Sequence, residues 1–149
     1  MNKFIFLIKV ATIYFFCISV AFSSKLSFFD EGKILFDNNK FDKSKILFEK
    51  DIVFNPKNGM SYLYLAKIFL QKENDQEQEI NLNSVLLLDP HNEEALYMLI
   101  LLKIKFSDYK IAEDLIEKFN LICKSFCSKT NEIKDSLDKI LAKNAKSNN

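Results

Sequence analysis

The chain has 149 residues, a formal net charge of +1, and only two glycines and two prolines, a composition that favours one helical domain. All 21 of its basic residues are lysine, so it lacks the guanidinium groups that bind phosphates in a bidentate manner. With so little net charge, a nucleic acid is not expected among its partners. A phosphate-binding loop is also excluded, because Gly32 and Gly59 lie far apart.

The N-terminal segment has the features of an export signal. Lys3 and Lys9 provide positive charge, residues 10–21 are uncharged and mostly apolar, and small residues follow, as signal peptidases require. We therefore expect residues 1–23 to be a cleaved signal peptide, which would place the protein in the bacterial periplasm. An alternative is that residues 4–22 remain as a membrane anchor, with the rest of the chain on the periplasmic side of the inner membrane.

Two prolines divide the chain that follows. Pro56 and Pro90 are 90 − 56 = 34 residues apart, and each lies between two stretches of helical periodicity. This period predicts three helix–turn–helix units, at residues 25–58, 59–92 and 93–126. Units of this kind bury their apolar faces only by stacking on their neighbours.

The three units resemble tetratricopeptide repeats in the residue types found at shared positions. The matching residues of the first unit are Phe28, Gly32, Phe41, Phe48 and Pro56. Those of the second unit are Tyr62, Leu65, Ala66, Phe69 and Pro90, and those of the third are Leu96, Leu99, Tyr109 and Ala112. In the third unit Lys124 replaces the closing proline. The resemblance implies an all-α fold, an α-α superhelix of about three repeats.

Three polar residues depart from the pattern of this family. Glu31 and Asp51 stand where Leu and Ala are usual, and Gln78 stands where Ala is usual. A buried unpaired carboxylate is costly. We therefore expect the first unit to be loosely packed, or its two acidic groups to face water.

A further amphipathic stretch follows the third unit. Ile133, Leu137, Ile140 and Leu141 recur at helical spacing. Stacked repeats need a closing helix with a polar outer face, so a C-terminal capping helix is predicted at residues 127–145. Residues 146–149 are predicted to be a disordered tail.

Two cysteines remain after the expected signal peptide is removed. Cys123 and Cys127 form a C-x3-C pair, and an oxidising compartment would favour a disulfide between them. Free thiols and a redox-active pair are the alternatives. The spacing differs from the C-x-x-C of thiol–disulfide oxidoreductases, which favours a structural bond.

No residues with a catalytic or metal-binding pattern stand out. His91 is the only histidine, and its loop position is typical of a polar surface residue. We therefore expect no catalytic residues, no metal site, no cofactor and no enzymatic activity.

The resemblance also implies a concave groove lined by the first helix of each unit. Its candidate binding residues are Phe29, Lys33, Phe36, Leu63, Tyr64, Lys67, Tyr97, Met98 and Leu101, and Leu26, Met60, Leu70 and Ile104 are further outward positions. Family members that grip a peptide carboxylate use Lys, Arg and Asn side chains, whereas Phe29, Tyr64 and Met98 stand at several of those positions here. A helical or extended apolar segment of another protein is therefore the expected occupant.

The sequence thus predicts a non-catalytic protein-interaction module, an adaptor or assembly factor of the bacterial cell envelope. Tyr64 and Tyr97 are expected to be central contacts that can be replaced without loss of folding, whereas Tyr62 is expected to pack between helices. Self-association is possible, and a membrane is a partner only if the N-terminal segment is retained. A membrane-anchored form and a thiol–disulfide protein using Cys123 and Cys127 are the alternative interpretations.

Overall fold

The computed structural model describes residues 26–147, so the predicted signal peptide or anchor lies outside the described residues. These residues form seven α-helices, and no strand occurs among them. The helices are α1 (Phe28–Asp37), α2 (Phe41–Phe54), α3 (Gly59–Gln71), α4 (Asp75–Leu88), α5 (Glu93–Lys105), α6 (Tyr109–Ile122) and α7 (Thr130–Ser147). Within residues 26–147, no helix has the length and apolar character needed to cross a membrane.

The first six helices pack as three consecutive pairs, α1 with α2, α3 with α4 and α5 with α6. Neighbouring pairs contact through α2 with α3 and through α4 with α5, and α7 packs on α5. This arrangement confirms the all-α superhelix of helix–turn–helix repeats.

The turn inside each pair repeats with the same backbone geometry. Asn39, Glu73 and Ser107 have φ values of 58°, 53° and 63°, and successive members are 34 residues apart (73 − 39 and 107 − 73). The residue that follows each of these three donates its backbone N–H to the carbonyl oxygen of the residue five positions before it. These bonds are Lys40 to Leu35 (2.9 Å), Asn74 to Phe69 (3.0 Å) and Asp108 to Lys103 (2.9 Å). These bonds satisfy carbonyl groups at the end of the first helix of each pair. They stabilise the left-handed conformation at these three positions, although none of the three residues is glycine.

A small residue allows the first two helices to approach closely. A Cβ atom added to Gly32 would lie 2.9 Å from Phe48 Cε1, which is too close for an ordinary contact. Phe48 is fully buried, as is Leu82 at the same position of the second unit. These two side chains thus fill space inside the packed repeats.

Asp51 shows that the first unit is well packed where a loose one was expected. Its carboxylate is 1% exposed and accepts hydrogen bonds from Asn55 Nδ2 (3.0 Å), Asn58 Nδ2 (2.7 Å) and Ser61 Oγ (2.5 Å). The expectation that it faces water is therefore wrong, because three donors replace its hydration. Glu31, in contrast, is half-buried.

The C-terminal helix differs in extent from the predicted residues 127–145. Cys127–Lys129 form a 3₁₀ turn, and α7 begins at Thr130 and continues to Ser147. The helix thus includes two residues of the predicted tail, since no glycine or proline interrupts it. Ile133 is 1% exposed and packs in the core of the third unit, with Leu137 and Ile140 beside it.

Candidate functional site

The predicted groove residues divide into two groups by burial. Phe29, Phe36, Lys67, Tyr97 and Leu101 are half-buried and Lys33 is exposed, whereas Leu63, Tyr64 and Met98 are buried. Ile104, one of the further outward positions, is also buried. These four side chains are therefore less exposed than the outward positions that the sequence predicted, and the binding role of all the candidates stays a prediction.

Tyr64 is buried because aromatic side chains of the first unit enclose it. Its ring stacks on Phe48 at 5.0 Å and meets Phe36 and Phe29 edge-on at 5.0 and 5.7 Å between centroids. Lys67 Nζ lies 5.0 Å from the centroid of the same ring. Such pairs stabilise beyond the area they bury. At this end the groove is filled by the protein's own side chains.

The lysines along the groove are held in ion pairs. Lys33 Nζ lies 2.8 Å from Asp37, and the hydrogen bond between them raises the pKa of Lys33. Lys67 Nζ lies 2.9 Å from Glu94 Oε1. A lysine that is already neutralised attracts a peptide carboxylate less strongly, because the approaching anion also meets the acidic partner. The absence of a carboxylate grip stays a prediction.

A cavity of about 240 Å³ opens between the second and third units. Its lining residues come from α3, the first turns of α4, and α5, and are Leu70, Asp75, Gln78, Tyr97, Met98, Leu101, Leu102 and Lys105. Tyr97, Met98 and Leu101 are among the nine binding residues predicted from the sequence, and Leu70 is among the further outward positions. The sequence interpretation missed Asp75, Gln78, Leu102 and Lys105, because it considered only one face of the first helices. The unusual glutamine at position 78 was the one available signal.

Gln78 is a buried polar residue among those that line this cavity. Its side chain is 2% exposed, and its Oε1 is buried without a hydrogen-bond partner among the described residues. At the cavity rim Lys105 Nζ donates to both carboxylate oxygens of Asp75, at 2.7 and 2.5 Å. The cavity therefore combines apolar walls with a neutralised ion pair at its rim.

The capping helix α7 fixes the tyrosine that forms one cavity wall. Tyr97 Oη donates to Glu132 Oε1, and its ring packs on Phe126 with centroids 6.2 Å apart. Burial, followed by this hydrogen bond, raises the pKa of Tyr97, while Lys129 and then Tyr97 lower the pKa of Glu132. Tyr97 is thus partly covered by the cap, unlike the free groove contact that the sequence predicted.

The segment between α6 and α7 is held against the start of α5. The Oε2 atom of Glu93 accepts the backbone N–H groups of residues 124, 125 and 126 at 2.9, 3.0 and 2.8 Å. These N–H donors lower the pKa of Glu93. Proline at position 124 would remove one of these donors, so the residue that replaces the closing proline supplies a backbone N–H that Glu93 uses.

The two cysteines flank this segment. Their Sγ atoms lie 2.09 Å apart, with Cα atoms separated by 5.2 Å. Cys123 is half-buried and Cys127 is exposed. Among the described residues, no three His, Cys, Asp or Glu side chains converge in a way that could hold a metal ion. His91 lies exposed in the loop before α5.

An apolar row also lies at the ends of the second helices. Val53, Leu87 and Leu121 are 76%, 84% and 81% exposed, and they follow one another at the 34-residue period (87 − 53 and 121 − 87). The 34-residue spacing of these three apolar residues is visible in the sequence alone.

No protein-family model matches the sequence, and no curated protein matches it either. Solved structures do share its shape. The first TPR of Spaghetti (RPAP3) bound to the HSP90 peptide SRMEEVD gives a TM-score of 0.66 at 16% identity, covering 79% of this chain and 90% of that one.

Two further structures give similar values. The Sgt2 TPR domain from Aspergillus fumigatus has a TM-score of 0.60 at 18% identity, covering 81% of this chain and 79% of its own. The second TPR domain of human RPAP3, in complex with the HSP70 peptide SGPTIEEVD, has a TM-score of 0.63 at 18% identity. The match covers 76% of this chain and 92% of that one. At such identities the likeness concerns the fold. The described part of this chain therefore has the tetratricopeptide-repeat fold.

Proposed function

We propose that the protein is a non-catalytic interaction module that binds an apolar segment of another protein in its groove. The cavity between the second and third units is the observation that carries this proposal, because it is open and lined mainly by Leu70, Met98, Leu101 and Leu102. Concave apolar sites with a few polar groups are the usual form of binding sites.

Two of the structures with this fold hold chaperone peptides, SRMEEVD and SGPTIEEVD, whose last residues are acidic. We propose a protein or peptide partner here as well, but one of different chemistry. The groove lysines Lys33 and Lys67 are paired with Asp37 and Glu94, and Lys105 is paired with Asp75. An acidic peptide would have to displace these partners, whereas a neutral apolar segment would leave them in place.

We place this module in the bacterial cell envelope, as an adaptor or assembly factor exported by residues 1–23. The composition of that segment supports export. N-terminal sequencing of the protein recovered from the periplasm would give a start near residue 22 or 24. Recovery only from membranes, with Met1 retained, would favour the alternative of an anchor at residues 4–22.

The proposed groove function can be tested by site-specific photo-crosslinking in the producing cells. A photoreactive amino acid at Leu70, which is 48% exposed in the cavity, should crosslink to a partner identified by mass spectrometry. The matched control is Ile46 on α2, which is 52% exposed and does not line the cavity. Partner crosslinks from Ile46 and not from Leu70 would contradict groove binding.

A thiol–disulfide function of Cys123 and Cys127 is the second candidate. It is supported by the pairing of the two cysteines and by the exposure of Cys127. A structural disulfide is the simpler proposal, because the bond closes the segment that Glu93 holds. Mass spectrometry before and after reduction should reveal the bond in freshly isolated protein. Loss of an insulin-reduction activity in the double Cys→Ser variant, with folding retained, would favour the redox function.

A further inference from the structure

We propose that one edge of the superhelix binds the surface of a membrane that contains anionic lipids. This lipid-binding edge consists of the ends of α2, α4 and α6, the starts of α1, α3 and α5, and the segments that join them. The row residues Val53, Leu87 and Leu121 enter the apolar part of the bilayer. The edge is separate from the groove, so the inference goes beyond the proposed function.

Contacts in all three units show that these helix ends share one edge. Phe28, at the start of α1, stacks on Phe54, at the end of α2, with ring centroids 5.5 Å apart. A Cβ atom added to Gly59, at the start of α3, would lie 3.9 Å from Leu88, at the end of α4. Glu93, at the start of α5, binds the segment that follows α6.

This edge carries the most exposed large apolar side chains among the described residues. Val53, Phe54, Leu87 and Leu121 are 76%, 69%, 84% and 81% exposed, whereas no other large apolar side chain in that part of the chain exceeds 52%. The row recurs at the same position of every unit, so its members lie at the same end of the stack. Clustered exposed apolar side chains mark surfaces that contact a partner or a membrane.

Lysines flank the first and third members of the row. They lie three positions before each of these residues (53 − 50 and 121 − 118) and four or three positions after it (57 − 53 and 124 − 121), and are Lys50, Lys57, Lys118 and Lys124. None of the four forms an ion pair with another described residue, unlike the groove lysines Lys33 and Lys67. Their charges therefore remain available to an anionic surface.

The acidic side chains of this edge compensate the lysines only in part. In the segments 50–58, 84–92 and 118–126 the only exposed acidic residue is Asp89, since Asp51 is buried. Further acidic residues lie in the first turns of α1 and α5, and are Asp30, Glu31, Glu93 and Glu94. There the positive end of the helix dipole offsets their charge.

The lysines favour a lipid surface over a second copy of this chain. Two copies that met through this edge would bring the lysines beside Val53 and Leu121 towards the equivalent lysines of the other copy, and like charges oppose association. Anionic headgroups attract lysines near a membrane surface. The acyl chains beneath them accept apolar side chains, so both features of the edge are satisfied together.

The chain that precedes α1 joins the described residues at this same edge. Leu26 is 46% exposed and lies two positions before Phe28, the first residue of α1. Residues 4–22 are mostly apolar, and only residues 23–25 separate them from Leu26. While the apolar segment is in a membrane, these three residues hold the edge within about 10 Å of its surface. The sequence predicted membrane contact only through that segment, whereas the edge belongs to the folded repeats.

A single introduced tryptophan can report which end of the helices meets the lipid, because the chain has no tryptophan of its own. Leu87→Trp places the ring in the row. Phe106→Trp is the matched control, since Phe106 is 45% exposed at the opposite end, just after α5. Protein purified from the producing cells is added to vesicles of equal parts phosphatidylglycerol and phosphatidylcholine, with or without bromine on the acyl chains.

We expect the vesicles to shift the emission of Leu87→Trp to shorter wavelength and the brominated chains to quench it. The emission of Phe106→Trp should not change. The comparison is valid whether the N-terminal segment is cleaved or retained, because quenching reports the position of the ring itself. Leu121→Trp is a second reporter in the row, and circular dichroism establishes that each variant is folded.

Sedimentation of the processed protein with the same vesicles tests the charges and the row. Lys57→Gln should weaken binding about fivefold, the factor that one lysine contributes near an anionic surface. Lys110→Gln, an exposed lysine at the start of α6 and thus at the opposite end, should leave binding unchanged. Leu121→Ser should weaken binding about tenfold, and Ile80→Ser, two turns before Leu87 on α4, should not.

Equal quenching in Leu87→Trp and Phe106→Trp, or no quenching in Leu87→Trp, would overturn the proposal. Equal effects of Lys57→Gln and Lys110→Gln would overturn it as well. Sedimentation velocity without vesicles tests the second copy as the occupant. A dimer that Leu87→Ser dissociates, together with an unquenched Leu87→Trp, would assign the edge to self-association. Crosslinking at Leu70 tests the groove alone, so either proposal can fail without the other.

Discussion

The junction between the first and second units offers the sharpest test of how this superhelix is held together. Asp51 and Ser61 meet there, with Ser61 Oγ 2.5 Å from the carboxylate and both side chains buried. One period later the same positions hold Val85 and Ala95 (51 + 34 and 61 + 34), also buried. The chain thus builds one junction with a polar pair and the next with an apolar pair.

The two single substitutions should each destabilise the protein. Ser61→Ala removes a buried hydrogen bond to a carboxylate, at a cost of about 2 kcal/mol. Asp51→Val leaves the Ser61 hydroxyl buried without its acceptor, which also costs about 2 kcal/mol, whereas Asn55 and Asn58 are close enough to the surface to bond to water. The double variant reproduces the second junction and should lie within about 1 kcal/mol of the wild type, because both partners are replaced by apolar groups.

Urea unfolding followed by far-ultraviolet circular dichroism gives the four free energies of unfolding for this cycle. The expected coupling energy is about 3 kcal/mol, the difference between the summed single effects and the double effect. Ser61→Thr serves as a control that keeps a hydroxyl donor. A double variant destabilised by the sum of the two single effects would refute the equivalence of the junctions.

The other predictions concern packing and pH. Tyr64→Ala should lower the free energy of unfolding by about 3–5 kcal/mol, because aromatic side chains enclose the ring. The control is Tyr62→Ala, since the Tyr62 side chain is half-buried. A smaller loss in Tyr64→Ala than in Tyr62→Ala would contradict this packing. Gly32→Ala should lower the free energy of unfolding by about 1–3 kcal/mol through overpacking, since the added Cβ would lie 2.9 Å from a buried phenylalanine ring. A Cβ added at Gly59 has its nearest neighbour at 3.9 Å. Gly59→Ala should therefore be neutral or stabilising in the same denaturation assay. Because the pKa of Glu93 is lowered by backbone donors, its contribution is present above the ordinary carboxyl pKa of about 4.3 and is lost as the pH falls through the lowered value. The unfolding free energy of Glu93→Gln should therefore lack this acid dependence, and identical pH profiles for variant and wild type would show that the segment after α6 is held by other contacts.

The sequence by itself determined the repeat architecture. A 34-residue spacing of prolines and small and aromatic residues predicts three helical pairs, because each pair must present the same apolar faces to its neighbours. The recurrent left-handed turn residues at Asn39, Glu73 and Ser107 follow the same period. Local patterns of this kind are sufficient to predict which segments form helices and in what order the helices follow one another.

Only the tertiary structure decided which side chains remain available at the groove. Tyr64 and Tyr97 occupy neighbouring positions on corresponding helices, yet one is enclosed by aromatic rings and the other is held by the capping helix. The period assigns both to the same surface, because it says nothing about the size of side chains on adjacent helices. Burial depends on those neighbours, which are distant in sequence.

The polar interactions were likewise decided by contacts between distant residues. Asp51 is satisfied by donors beyond the Pro56 turn, and Glu93 binds N–H groups that follow it by more than 30 positions. Gln78 was recognisable in the sequence as an exception, but its unused acceptor and the cavity beside it became visible only with α5 in place. Hydrogen bonding requires specific distances and directions, and residue spacing along the chain does not supply these between separate helices.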